Sequence, residues 1–223
     1  MIEVTYVDHM GSDLSVVNAA RVSFGKKSDW LPRVHNGEQL VLTPKDAKLI
    51  SYLAKHEHKS PFNHAFATFH IKAPIFVARQ LQKHEYMPWN EISRRYVDSE
   101  PEFYQPNVWR GRSEDKKQGS DGVVDVSYKS ISALAKHEMW CMKTYKQLLE
   151  DGIAPEQARM VLPQSMMTEW YWSGSVHAFA KMCGLRLKPD AQYETRLVAE
   201  QIEDKMTELF PESWTALRAY DDT

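Results

Sequence analysis

The sequence predicts a mixed fold of strands and helices packed about one core, and three observations carry that expectation. From Phe62 to Ile71 the side chains can alternate, with His64, Phe66, Thr68 and His70 on one face and Ala65, Ala67, Phe69 and Ile71 on the other, the period of a strand. Elsewhere apolar residues recur at helical spacing behind capping residues, most clearly after Thr43-Pro44 and over Ile131 to Leu149. The chain has 223 residues, 43% of them hydrophobic, which suits one domain spanning residues 1–223 that buries its own core.

Taken in order, Ile2 to Val7 reads as a short strand, and Ser12 or Asp13 can cap a helix through Leu14, Val17 and Ala20. Gly25 to Val41 is a polar loop. Thr43 and Pro44 then start a helix whose buried face is Ala47, Ile50, Leu53 and Ala54, with proline where its missing N–H does no harm. After the Phe62–Ile71 strand a helix begins at Pro74, and its end projects polar side chains in the pairs Arg79/Lys83 and Gln80/His84. Gly111 to Gly122 reads as a flexible surface insertion, because helical periodicity resumes immediately afterwards. The long helix that follows is marked by Ile131, Leu134, Ala135, Glu138, Cys141, Met142, Tyr145 and Leu149 and ends at Gly152. Arg159 falls in a short helix started by Pro155; Thr168 to Trp172 suits a strand, Ser175 to Leu185 a helix, and Pro189 the start of the last helix.

A net charge of -2 and a pI near 6.5 exclude the overall positive field that holds a long nucleic acid, while leaving room for one charged metabolite. Cys141 and Cys183 are too few for a disulfide framework or a cysteine-rich zinc site, which points to a reducing compartment, the cytoplasm. The N-terminus carries no signal pattern, and no apolar run approaches the roughly 20 residues that span a bilayer. Neither GxGxxG nor GxxxxGK[ST] is present, so any nucleotide binds by another geometry. His56, His58, His64 and His70 lack the spacing of a metal site and are expected to be satisfied strand and loop histidines.

The informative stretch is Arg79 to Tyr96, RQLQKHEYMPWNEISRRY, where cations, amides, an acid and aromatics crowd a helix end and a loop. Arginine can fork onto phosphate, a serine hydroxyl can complete the cradle, and amides or carboxylates can read a base or ribose edge. On composition alone, an amphipathic helix followed by a solvated charged loop is the favoured reading.

Residue order decides between these, because the stretch resembles the signature of flavin-dependent thymidylate synthases, in which Arg-His-Arg is followed after seven residues by Ser. Here Lys83-His84-Glu85 occupies the triplet; Ser93 comes at the same spacing, preceded by Asn90-Glu91 and followed by Arg95-Tyr96. The resemblance extends to SDLSVVNAARVSF, His58-Lys59-Ser60-Pro61-Phe62 and HIKAPIFVARQ upstream, and to ARMVLP, TEWYW, GLR and AQYE downstream. It implies an α/β fold with a twisted, mainly antiparallel sheet flanked by helices, assembled as a homotetramer with active sites shared between subunits.

It also implies that dUMP is held by Gln80, Glu91, Ser93, Arg95, Arg159 and Arg186, with Arg186 the catalytic residue that favours the ionised uracil ring. FAD would meet Ser60, His84 and Glu91, with His58 and Asn90 beside it. The triplet departs from the family: Lys83 lacks the bidentate fork, and Glu85 would repel the cofactor's diphosphate if it faced it. Arg94 and Lys181 stand where the family commonly has small or amide residues and could restore the lost charge. In the implied chemistry NADPH is the reductant and methylenetetrahydrofolate the carbon donor. No enzymic nucleophile is required, and neither cysteine lies in a polar motif. Two other readings remain open at this point: an enzyme that leaves a hydroxymethyl base, and a homologue that only binds nucleotides or a partner.

Overall fold

The computed structural model describes residues 1–31, 41–114 and 119–220. Its frame is a four-stranded sheet of β1 (Glu3–Met10), β2 (Phe66–Pro74), β3 (Trp89–Glu91) and β6 (Met167–Ser175). The strands lie in the order β1-β2-β6-β3, and every neighbouring pair is antiparallel. Helices α1 (Asp13–Arg21), α2 (Pro44–Lys55), α3 (Ile75–Leu81), α6 (Val176–Arg186), α7 (Tyr193–Leu209) and α8 (Pro211–Ala219) contribute to one core with it. A two-stranded hairpin of β4 (Arg110–Arg112) and β5 (Ser120–Val123) stands apart, followed by α4 (Tyr128–Glu150) and the short α5 (Pro155–Ala158). Among the described residues no helix is long and apolar enough to cross a membrane.

Alternation along the strands decides what lies inside. Ala67, Phe69 and Ile71 of β2 and Trp170 and Trp172 of β6 are buried with Ile50 of α2, Phe179 of α6 and Ile202 of α7. The other face is polar and half-exposed: Thr68 and Ser173 hydroxyls meet at 2.9 Å, and His70 lies 3.0 Å from Glu169. His56 is satisfied too, its Nδ1 2.8 Å from the Tyr52 carbonyl. Three helices start as the sequence predicts, on Thr43, on Ser175 and, for α1, on Ser12. At the end of α4, Gly152 has φ +82, and its N–H and that of Ile153 donate back to Leu149 and Leu148, which closes the helix in the left-handed turn that glycine permits.

Several expectations need correction. β1 runs on to Met10, because it pairs with β2 as far as Phe66. Pro61–His64 is a 3-10 turn, so β2 starts only at Phe66 and His64 is not on its face. Pro74 caps α3 rather than opening it, and α7 starts at Tyr193, not Pro189. Arg159 lies just past α5 in a 3-10 turn, Arg159–Val161. The ends of the 111–122 insertion pair as the β4–β5 hairpin, while residues 115–118 within it, like 32–40 of the loop before Leu42, lie outside the described residues. Neither β3 nor α8 was expected.

Candidate active site

Helices α3 and α6 end side by side and bring three of the expected site residues together. Arg186 Nε donates to His84 Nε2 at 3.1 Å, and Arg186 Nη2 donates to the Gln80 carbonyl at 3.1 Å. His84 packs toward Trp172, ring centroids 6.2 Å apart. Burial, then the charges of Arg186 and Lys181, pull the His84 pKa down to about 4. The ring is therefore neutral at physiological pH, and with Nε2 accepting from Arg186 its proton belongs on Nδ1. Burial also lowers the pKa of Arg186, which keeps its charge nonetheless.

Gln80 and Arg186 line a cleft of about 750 Å³, with Tyr104, Trp109, Arg110 and Gln192 among its other walls. The β4–β5 hairpin closes one side of it. Gly119, at φ +83, lies so near the α6–α7 connection that a Cβ there would be 2.6 Å from the Asp190 carbonyl oxygen, so only glycine allows this approach. Arg110 is anchored by donating to the Ser120 hydroxyl at 2.8 Å and lies 5.3 Å over the Tyr193 ring. Burial, with Glu194 and Tyr193 adding to it, pushes the Tyr104 hydroxyl up to about 12, so it stays a donor.

A second group forms on the sheet edge. Glu91 of β3 accepts from the Thr168 hydroxyl at 2.6 Å and from the Trp89 indole at 3.0 Å, and Trp89 stacks on Trp170 at 4.4 Å. Beyond the strand, the Ser93 hydroxyl accepts the Arg95 N–H at 3.3 Å. Arg95 reaches to 3.8 Å from the Glu156 carboxylate, and Arg159 Nε donates to the Glu156 carbonyl at 3.2 Å. Both arginines are exposed, as are Lys83, Glu85 and Asn90; Arg94 donates to the Ser99 carbonyl in its own loop.

Ser60 and His58 belong to a third group, in a pocket of about 780 Å³ that Lys26, Lys45, Lys59 and Tyr52 also line. His58 and Lys59 lie between it and a smaller pocket holding His177, Lys181 and Tyr220. Within one chain the expected residues thus fall into three groups and share no single pocket. Among the described residues no cluster of His, Cys, Asp or Glu could hold a metal ion.

Residues 5–212 match the family described as thymidylate synthase complementing protein. The chain belongs to this family. Among its members, a flavin-dependent thymidylate synthase of Thermus thermophilus is 41% identical over 217 residues, covering 97% of this chain and 76% of that protein. The flavin-dependent thymidylate synthase of Thermosipho africanus is 39% identical over 212 residues, covering 94% of this chain and 86% of its own length. Among solved structures, the UMP/dUMP methylase PolB from Streptomyces cacaoi bound with 5-Br dUMP superposes with a TM-score of 0.83 at 32% identity, covering 100% of this chain and 97% of that one. For a member of this family, the cleft adds residues that the sequence did not assign to the site: Tyr104, Arg110, Gln192 and Glu194, with buried Thr195 behind them. Gln192 and Glu194 fall in AQYE, which the resemblance already contained, whereas nothing in the sequence marked Tyr104, Arg110 or Thr195.

Proposed function

We propose that the protein is a flavin-dependent thymidylate synthase that converts dUMP to dTMP with methylenetetrahydrofolate as carbon donor, and that Arg186 is its catalytic residue. The observation that carries this is the half-buried Arg186 guanidinium, pinned by neutral His84 and the Gln80 carbonyl on the wall of the cleft. A cation held there, with its alignment fixed before substrate arrives, stabilises negative charge that develops on the uracil ring. Arg95, Arg159 and the Ser93 hydroxyl are suited to the phosphate, which two guanidinium forks and a hydroxyl can satisfy. Glu91, held by Thr168 and Trp89, orients the sugar or the flavin between these groups.

The third group fits FAD. Lys26, Lys45 and Lys59 offer cations for a diphosphate, Ser60 a hydroxyl and Tyr52 an exposed ring, with Lys181 in the adjoining pocket. When bound and reduced by NADPH, the cofactor supplies the hydride that completes the methyl group. The chain itself binds and orients. Its thiols stand aside: Cys183 is buried with Sγ 3.7 Å from the Ala199 carbonyl, Cys141 sits on α4 beside His137, and neither lines the cleft.

The site is completed in a homotetramer. Arg95, Arg159 and Ser60 are exposed and lie in separate groups, and α4 exposes Ile131, Met139 and Trp140 along a 23-residue helix that buries only Glu138 and Tyr145. Exposed apolar area of this kind suits burial against another copy. The protein works in the cytoplasm as one domain. With FAD added, it should be yellow, bleach with NADPH in the absence of oxygen, and recover colour only when dUMP and methylenetetrahydrofolate are both present. Recovery without dUMP would contradict the assignment.

A further inference from the structure

Beside Arg186 runs a chain of hydrogen bonds whose direction is set at one end. The Glu194 carboxylate accepts only, and it takes the Gln192 side-chain N–H at 3.0 Å. This turns the Gln192 carbonyl toward Gln80, where it too can only accept, so Gln80 must present its NH2 group there. The Gln80 side-chain oxygen then accepts from the Thr195 hydroxyl at 3.3 Å. Thr195 is fully buried, so its hydroxyl cannot turn to water instead. Turning Gln80 over would set its carbonyl against that of Gln192, and turning both glutamines would set a carbonyl against the carboxylate.

We propose that Glu194, acting through Gln192 with Thr195, fixes the amide sense of Gln80 and so makes the site choose uracil over cytosine. The inference rests on the reading above that Arg186 faces the uracil ring and that Gln80 is among the residues that hold dUMP, and it assigns the Gln80 side chain to the base. At C4 uracil offers a carbonyl acceptor whether or not its ring nitrogen is ionised, whereas cytosine offers an amino donor there. A primary amide carries one donor and one acceptor side by side. Free to turn, it matches either base; fixed, it matches one and leaves its polar atoms unpaired against the other. Gln80 keeps a second N–H and a second oxygen lone pair for this; the residue lines the cleft, and its backbone carbonyl accepts from the guanidinium assigned to the ring. Glu194, Gln192 and Thr195 are positioning residues in this account. Replacing Glu194 by glutamine removes the one member that can only accept and lets the whole chain reverse.

Titration of the full-length, FAD-loaded protein with dUMP and with dCMP tests this, with melting temperature as the check on folding. Wild type should prefer dUMP, and in Glu194→Gln the dUMP:dCMP affinity ratio should fall by about tenfold or more, as expected for losing a discriminating hydrogen bond whose loss leaves polar atoms unpaired. Gln192→Met, which cuts Gln80 off from Glu194, should lower the ratio in the same direction and carries the test if Glu194→Gln fails to fold. Weaker binding of both nucleotides at an unchanged ratio would mean the network is merely structural and overturns the proposal while leaving the dUMP assignment intact. Failure of wild type to bind dUMP would instead overturn the assignment and the relay with it.

Discussion

His84 shows how one residue is bent to the needs of another. Half-buried beside two cations, it stays neutral down to about pH 4, and only the neutral ring can accept the Arg186 N–H. Its pKa is depressed on folding from an ordinary 6.5, so the unfolded chain binds the proton first as pH falls. The stability this residue contributes is complete above about pH 6.5 and is lost progressively down to about 4. Melting curves across that window should fall more steeply for wild type than for His84→Phe, and parallel curves would contradict the neutral-acceptor role. Cys141→Ala with Cys183→Ala should retain turnover, since neither thiol reaches the cleft; a folded but inactive double variant would revive a thiol nucleophile. Glu85 is exposed one residue after His84 and lines neither pocket assigned to FAD within one chain; if assembly brings it to the cofactor of another copy, it repels the diphosphate. Glu85→Arg should tighten FAD about tenfold at low salt, with less gain at high salt, as followed by flavin fluorescence. Unchanged or weaker affinity at low salt would mean that Glu85 points elsewhere.

Elements with their own local signals were legible in the sequence, and those made by tertiary partners were not. Thr43, Ser175 and Gly152 marked helix ends because a cap or a left-handed turn needs those side chains whatever surrounds them. β3 has only three residues and no alternation of its own; pairing with β6 makes it a strand. The site divides in the same way. Motif spacing located Glu91, Ser93 and Arg95, but not that Arg95 and Arg159 meet at Glu156, nor that Gln80 meets Gln192 across 112 residues of sequence. Buried carboxylates hold the helical layer together. Asp13 of α1 accepts the backbone N–H groups of Glu212 and Ser213 at 3.0 and 2.9 Å and so caps α8, the helix the sequence did not announce. Asp13→Ala should cost about 1 to 2 kcal/mol in urea unfolding, the value of a helix cap. No loss would show that α8 is held by Trp214 packing alone.

At the scale of the whole molecule, a single chain presents the exposed arginines, the lysine-lined pocket and the Arg186 cleft on separate groups of residues, which is why assembly belongs to the proposed function. Light scattering should give four copies per particle. Arg95 and Arg159 are exposed and are proposed to hold the phosphate, so dUMP should bind more tightly than deoxyuridine, with the difference narrowing as salt rises. The measurement closest to the central claim is the identity of the nucleotide formed from dUMP when the protein is supplied with FAD, NADPH and methylenetetrahydrofolate, with Arg186→Ala run alongside. Mass spectrometry should find dTMP from wild type and at least about a hundredfold less from the folded variant, the scale on which a lost charge-stabilising donor acts. Unchanged dUMP, a hydroxymethyl product, or near-normal dTMP formation by Arg186→Ala would contradict it.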